Sequence, residues 1–423
     1  MAGTGIRKTA LSLAVAGAFA GGVSQAHASA FALIEQSASG LGNSYAGAAA
    51  AADDASIIFY NPAGMSLLPG GMQVSAGLAL INLSAKFSDS GSSPSTSPGA
   101  RPLGNDGGNA GDLSAVPNVY FAMDLAKDWK LGVGVSVPFG LKTEYDPTWV
   151  GRFQAIKSDI KTYNINPSVS YKLDDKTSFG FGLNYQKIDA ELSRAVVIGP
   201  GAETVATVKG DDTSWGFNAG AMFQLAPDTR LGVSYRSSIK YNVSGTVNVA
   251  AVPALNGNAN VDIKMPDTFS IALNHRLDSK WTLLGDVTWT GWSKIKDLTI
   301  VTSNGQPPDV TQENFKNTWR VGVGAVHRAS DAWSLKMGLA YDQTPVNDTD
   351  RTARLPDNDR LWLSFGGQYK MSKDSTLDLG YAHLFIKDAP INQNGGSAAA
   401  NGQLVGTYKG SVDIFGAQFA YRF

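Results

Sequence analysis

The chain has 423 residues, 43% of them hydrophobic and 17% charged, which is too apolar for a disordered polypeptide. Lys and Arg total 35 against 36 Asp and Glu, a net charge of −1, so no basic footprint points to nucleic acid. Cysteine is absent, which excludes disulfide frameworks, thiolate metal sites and cysteine nucleophiles together.

At the amino end, Arg7 and Lys8 precede an apolar run from Ala10 to Ala20, and small residues follow as far as Ala26-His27-Ala28. A charged region, an apolar region and an A-x-A site in that order predict a signal peptide over residues 1–28. The competing reading, a membrane anchor, fails on length, because ~20 apolar residues are needed to span. No later segment has the length and apolarity of a membrane helix. An exported membrane protein of this kind must be a barrel, because only helices and closed barrels satisfy the backbone in lipid.

Residues 29–69 do not alternate. They are small and polar, with Gly40, Gly42 and Gly47, an alanine run over Ala48–Ala52, and Asn61-Pro62-Ala63. A wide barrel leaves a lumen that side chains cannot fill, so this stretch reads as a plug, with a periplasmic extension as the alternative. From Met72 onward the period is two. Val119, Phe121 and Met123 alternate with Asn118, Tyr120 and Ala122, and Trp215, Phe217 and Ala219 alternate with Gly216 and Asn218.

The connections separate a barrel from a sandwich. Short turns near residues 127–128, 174–175, 227–228, 278–279, 330–331 and 373–374 alternate with long polar connections at about 88–114, 139–160, 195–212, 248–262, 298–312, 345–358 and 389–406. Short periplasmic turns alternating with long external loops are the outer-membrane pattern, and they separate fourteen strands over residues 70–423. The predicted fold is therefore an all-β transmembrane barrel of 14 antiparallel strands with an N-terminal hatch. It is expected in the outer membrane of a Gram-negative bacterium, with both termini periplasmic. Trp129, Trp281 and Trp333 each follow a short turn in phase with the apolar face, a height suited to the headgroup boundary.

The stretch Phe31-Ala32-Leu33, Ser39-Gly40-Leu41-Gly42, Tyr45-Ala46-Gly47, Ala52-Asp53-Asp54-Ala55 and Asn61-Pro62-Ala63 resembles the hatch of the FadL family (OmpP1/FadL/TodX) of outer-membrane long-chain fatty acid transporters. Phe315-Lys316 with Trp319-Arg320, Tyr341-Asp342 with Pro345-Val346, and Pro356-Asp357-Asn358-Asp359-Arg360-Leu361-Trp362 extend the resemblance over essentially the whole mature chain. The resemblance implies passive transport of long-chain fatty acids or other hydrophobic small molecules, with release into outer-membrane lipid. The alternative is an uptake channel for aromatic or other hydrocarbons on the same fold. It also implies that the last strand, ending at Phe423, addresses the chain to the barrel-assembly machinery.

By the same resemblance, Arg194 and Lys316 match two basic residues that meet a carboxylate, and Phe31 matches an aromatic of the pocket. Parity places both cations towards the lumen: Lys316 shares phase with Arg320, and Arg194 is even on a strand with odd apolar positions. The competing role is a structural ion pair with a lumen acid such as Asp286 or Asp342. Asn61, Pro62 and Ala63 match the gating part of the hatch. Pro138, Phe139 and Gly140 interrupt the third strand, because proline lacks the ladder donor and glycine weakens pairing. They match a kink that serves as a lateral exit, with a plain strand end as the alternative. His275, His327 and His383 fall on separate strands, so neither a metal site nor a Ser-His pair is legible, and no enzyme or cofactor is expected. No dimer signature is visible, and a plugged barrel is expected to work as a monomer.

Overall fold

The computed structural model describes residues 30–97, 99, 101–394 and 398–423; the expected signal peptide, residues 1–28, lies outside the described residues. Fourteen wall strands follow one another: β1 Met72–Asp89, β2 Leu113–Ala126, β3 Trp129–Ser136, β4 Lys157–Lys172, β5 Thr177–Gly199, β6 Ala202–Ala226 and β7 Thr229–Arg236 form the first half. The second half is β8 Thr268–Arg276, β9 Trp281–Thr290, β10 Thr318–Arg328, β11 Trp333–Asp342, β12 Arg360–Lys370, β13 Ser375–Ile386 and β14 Leu404–Arg422. Each pairs antiparallel with the next, and β1 closes the ring on β14 from Gln73↔Arg422 to Asp89↔Gly406. Closure leaves no sheet edge in lipid, which is what permits strands to span it.

The two faces explain the period. Phe179, Phe181, Leu183 and Tyr185 of β5 point outward and are exposed, whereas Ser178, Asn184 and Gln186 are buried within. Inward amides satisfy one another: Asn164 and Asn184 both donate Nδ2–H, to Asn184 Oδ1 and Asn218 Oδ1 respectively. At the rim of the short turns, Trp129 packs on Tyr171, Trp281 on His327 and Trp333 on Tyr369, with ring centroids 4.6, 4.4 and 4.7 Å apart. Such pairs suit a headgroup boundary.

Three expected loops are folded otherwise. Residues 195–212 continue β5 and β6 as a hairpin that turns at Pro200–Gly201. The connection 248–262 lies in a hairpin of Ile239–Val249 with Gly257–Met265, and 298–312 in one of Asp297–Thr302 with Asp309–Gln312. These extensions keep one apolar face, because Leu192, Val247, Val249, Ala259 and Ile300 pack together as a buried cluster beyond the wall.

Residues 30–71 lie inside the ring and form only short helical turns, among them Leu41–Asn43, Ala48–Ala51, Ile57–Tyr60 and Pro62–Leu67. Their backbone rests on lumen-facing glycines. A Cβ on Gly232 would fall 2.0 Å from the Ala49 carbonyl oxygen, and one on Gly180 would fall 2.1 Å from the Ala63 nitrogen. Asn61 caps the last turn: its Oδ1 accepts from Ala63 N–H at 3.1 Å, and its Nδ2 donates to the Ala49 carbonyl at 2.8 Å.

Candidate functional site

The third strand is broken. β3 stops at Ser136, and the chain resumes as a short strand, Gly140–Glu144, that pairs only with β4. On the other side, β2 bonds β3 no farther out than Val119↔Val135, so the outer part of β2 has no ladder partner across from Pro138. The wall closes again where Glu144 N–H donates to the Ala110 carbonyl. Proline cannot donate, and the chain here turns away from its neighbour.

Backbone groups freed by such a break need partners. The segment after Ala30 supplies them. Leu33 N–H donates to the Pro138 carbonyl and Gly140 N–H to the Phe31 carbonyl, both at 2.8 Å. The Gln36 amide works in both directions: Nε2 donates to the Val137 carbonyl at 2.7 Å, and Oε1 accepts from Val137 N–H at 3.1 Å. On the outer side, Phe139 N–H donates to Thr162 Oγ1 at 2.9 Å. The start of this segment is held by Asp357, whose Oδ2 accepts from Ala30 N–H at 2.9 Å and from the Thr344 hydroxyl at 2.7 Å, while its Oδ1 receives Arg360. That gives a physical reason for the Pro356–Trp362 motif.

Phe31 is buried in an apolar cluster beside the break. Its ring centroid lies 4.8 Å from that of Trp292 and 6.2 Å from that of Phe139. Phe315, Tyr241 and Leu355 complete the aromatic and aliphatic surround. Above it, Arg194 reaches Asp309 at 2.9 Å. Arg354 donates to the Lys157 carbonyl and to Ser158 Oγ, each at 3.1 Å.

The two expected cations are not assembled as an open carboxylate receptor. Arg194 is ion-paired; its partner is Asp309, whereas Asp286, a suggested partner, pairs with Arg320 at 3.5 Å. Lys316 is exposed and precedes the first residue of β10, so strand parity does not extend to it. Asn314 takes a positive φ of 41°, and it is Phe315 that turns into the cluster. Asn61, Pro62 and Ala63 form the capped turn against Gly180 and Gly220. Sequence reasoning missed Gln36, Trp292 and Arg354, and named Asp357 only as part of a motif, without its role at the start of the lumen segment. The histidines stay on β8, β10 and β13, with His383 Nδ1 2.8 Å from Asp413 Oδ1. Among the described residues no group of side chains could hold a metal ion.

Glu313 belongs to the same outer layer. Burial pushes its carboxyl up to about 8, opposed by Arg354, and its Oε2 has no hydrogen-bond partner. Burial, then the neighbouring Arg194, pushes the Arg354 guanidinium down to about 10. An acid whose folded value is raised above its unfolded one contributes stability that is complete below the unfolded value and is lost as pH rises through about 8. Proteolysis of the 297–315 segment is therefore expected to accelerate between pH 6 and 9 relative to Glu313→Gln, which should remove the difference. Parallel rates in the two proteins would show that Glu313 does not titrate in this range.

Between the lumen segment and the wall lies a cavity of ≈150 Å³, lined among others by Leu33, Phe59, Pro138, Phe139 and Arg236. It adjoins the break in β3.

A family model described as outer membrane protein transport protein (OMPP1/FadL/TodX) matches residues 19–423. The long-chain fatty acid transport protein of Escherichia coli K12 is 29% identical over 94% of this chain and 95% of its own. Outer membrane protein P1 of Haemophilus influenzae is 28% identical over 94% and 96%. A Pseudomonas aeruginosa FadL homologue superposes with a TM-score of 0.85 at 25% identity, covering 93% of this chain and 100% of that one. The Pseudomonas putida toluene transporter TodX superposes at 0.70 with 17% identity over 94% and 100%, a likeness of fold alone.

Proposed function

The chain belongs to the OMPP1/FadL/TodX family of outer membrane transport proteins, and on that premise we propose that it passes long-chain fatty acids passively across the outer membrane. In this proposal residues 1–28 are a signal peptide, residues 29–69 a hatch, and residues 70–423 the barrel, with both termini periplasmic. The acyl tail takes the place of Phe31 in the apolar cluster, and the ligand leaves sideways through the break at Pro138-Phe139-Gly140. The observation that carries the proposal is the juxtaposition of that cluster with a wall break held shut by the same segment that bears Phe31.

The energetics favour an amphiphile. Burial of a methylene is worth about 0.8 kcal/mol, so a long tail gains several kcal/mol even after ordering costs. An unpaired carboxylate in the same site is strongly disfavoured. Arg194, Arg354 and Asp309, with Glu313 protonated below about pH 8, leave the roof of the cluster with a net positive charge. Lys316 lies outside the cluster and contributes at the approach. A sideways exit spares the tail a passage through water.

A second reading, uptake of aromatic hydrocarbons, draws on the rings of Phe31, Phe139, Trp292 and Phe315. Equilibrium binding of oleate and toluene to the purified protein separates the two. Saturable oleate binding, weakened at least about tenfold in an Arg194→Ala/Lys316→Ala double variant, is the expected result. Tight toluene binding indifferent to both charges would establish the hydrocarbon reading instead.

A further inference from the structure

Arg236 ends β7 on its inner face, in phase with Gly232 and Ser234. Its guanidinium lies deep in the lumen, yet none of the described residues offers it a carboxylate. Nη2 donates to the Phe59 carbonyl at 2.8 Å, Nη1 donates to Asn184 Oδ1, and the cation stands 4.3 Å from the centroid of the Phe59 ring. All three partners are neutral. Other deep cations are balanced: Lys336 meets Asp378 at 2.8 Å, Arg360 meets Asp357 at 2.5 Å, and Arg320 meets Asp286 at 3.5 Å. Among the described residues Arg230 and Arg354 also lack an ion pair, but Arg230 adjoins the short turn before β7, Arg354 belongs to the outer layer, and neither lines the cavity.

A charge taken out of water without a counterion is costly, and neutral acceptors compensate only part of that cost. Arg236 faces the ≈150 Å³ cavity, whose surface is mainly apolar and touches Pro138 and Phe139. The Arg320–Asp286 pair and Asp342 also line it, so Arg236 is the cation of this lining without an ion-pair partner among the described residues. A cavity of that size holds about one benzene ring. It would take the head and first few carbons of a long amphiphile, with the remainder of the tail directed to the adjoining wall break at Pro138 and Phe139.

Resting on the fatty acid reading above, we infer that Arg236 is a second carboxylate station, separate from the Arg194 layer. It receives the anionic head of a monocarboxylate amphiphile whose tail has already entered the break. The ligand then leaves tail first, and its charge stays compensated until the tail is in lipid. A fork of guanidinium donors suits a carboxylate, with two parallel N–H···O bonds.

The test uses the protein purified from outer membranes and placed in nanodiscs, with oleate and oleyl alcohol as probes of equal tail and unequal charge. Arg236→Gln is expected to weaken oleate binding about tenfold and to leave oleyl alcohol within about twofold. Arg236→Lys should retain most of the oleate affinity. Asn184→Asp keeps the arginine but supplies an internal counterion, and it should weaken oleate selectively as well, which covers the case of an Arg236→Gln chain that does not fold. Equal losses for both probes would show that Arg236 only holds Phe59 in place and would overturn the inference. Oleate binding unchanged in Arg236→Gln, or in Asn184→Asp where the glutamine chain does not fold, would overturn it too. Failure of the unsubstituted protein to bind oleate saturably would instead remove the fatty acid reading, and this inference with it.

Discussion

Substituting valine for Gly232 is expected to drive residues 41–67 off the barrel wall and to raise the ion conductance of the reconstituted protein about tenfold. The added Cβ would stand 2.0 Å from the Ala49 carbonyl oxygen, an approach no side chain tolerates. One side must yield. β7 is tied by ladders to β6 and β8, whereas the Ala48–Ala51 turn is four residues long and leans on the wall through close backbone contact. The segment therefore moves, and a fourteen-stranded ring without its filling leaves an aqueous channel. Gly180→Val should act alike at Pro62-Ala63, where the Cβ would lie 2.1 Å from the Ala63 nitrogen. Gly285→Ala is the control, because its nearest neighbour, the Gly322 carbonyl oxygen, is 3.8 Å away. Planar-bilayer recording checks all three. Unchanged conductance in both valine variants would mean that the segment is not what fills the pore.

What the sequence makes legible follows from the solvent around each residue. Lipid outside and a polar lumen inside impose a period of two on Phe179–Tyr185 and Trp215–Ala219, so the strands, their number and the short turns can be read directly. The outer hairpins are harder, because Ile239, Tyr241, Val243 and Val247 alternate with Lys240, Asn242, Ser244 and Asn248 just as wall residues do, so this run reads as a continuation of β7 and only the ladder shows that a separate hairpin begins there. Phase places Arg194 on the inner side but does not reveal Asp309, which arrives from a hairpin 115 positions later. Lys316 shows the limit of the method, since phase counted back from Arg320 fails once the strand ends at Thr318. Gln36 and Asp357 carry no signal of spacing; their roles exist only where the N-terminal segment meets the broken strand. Arg236 was readable in principle, as the cation in phase with Gly232 and Ser234 against Leu231, Val233 and Tyr235.

Gln36→Ala should open the break. Val137 is fully buried, and both its backbone groups end on the Gln36 amide. Alanine leaves a donor and an acceptor without partners at membrane depth, each costing about 1–3 kcal/mol. The remaining ties, Leu33 to Pro138 and Gly140 to Phe31, lie on the same short segment and are expected to loosen together. Amide hydrogen exchange in a peptide spanning Ser136–Leu141 should rise by roughly tenfold or more, while amides near Val133, bonded into the ladders of β2 and β4, keep their rates. Gln36→Glu separates the two halves of the bond. An ionised carboxylate still accepts from Val137 N–H but offers the carbonyl nothing, so exchange should fall between the native and alanine rates. If the alanine variant exchanges at the native rate, Gln36 does not hold the strand break closed. If exchange rises but oleate passage does not, the break opens without serving as the exit.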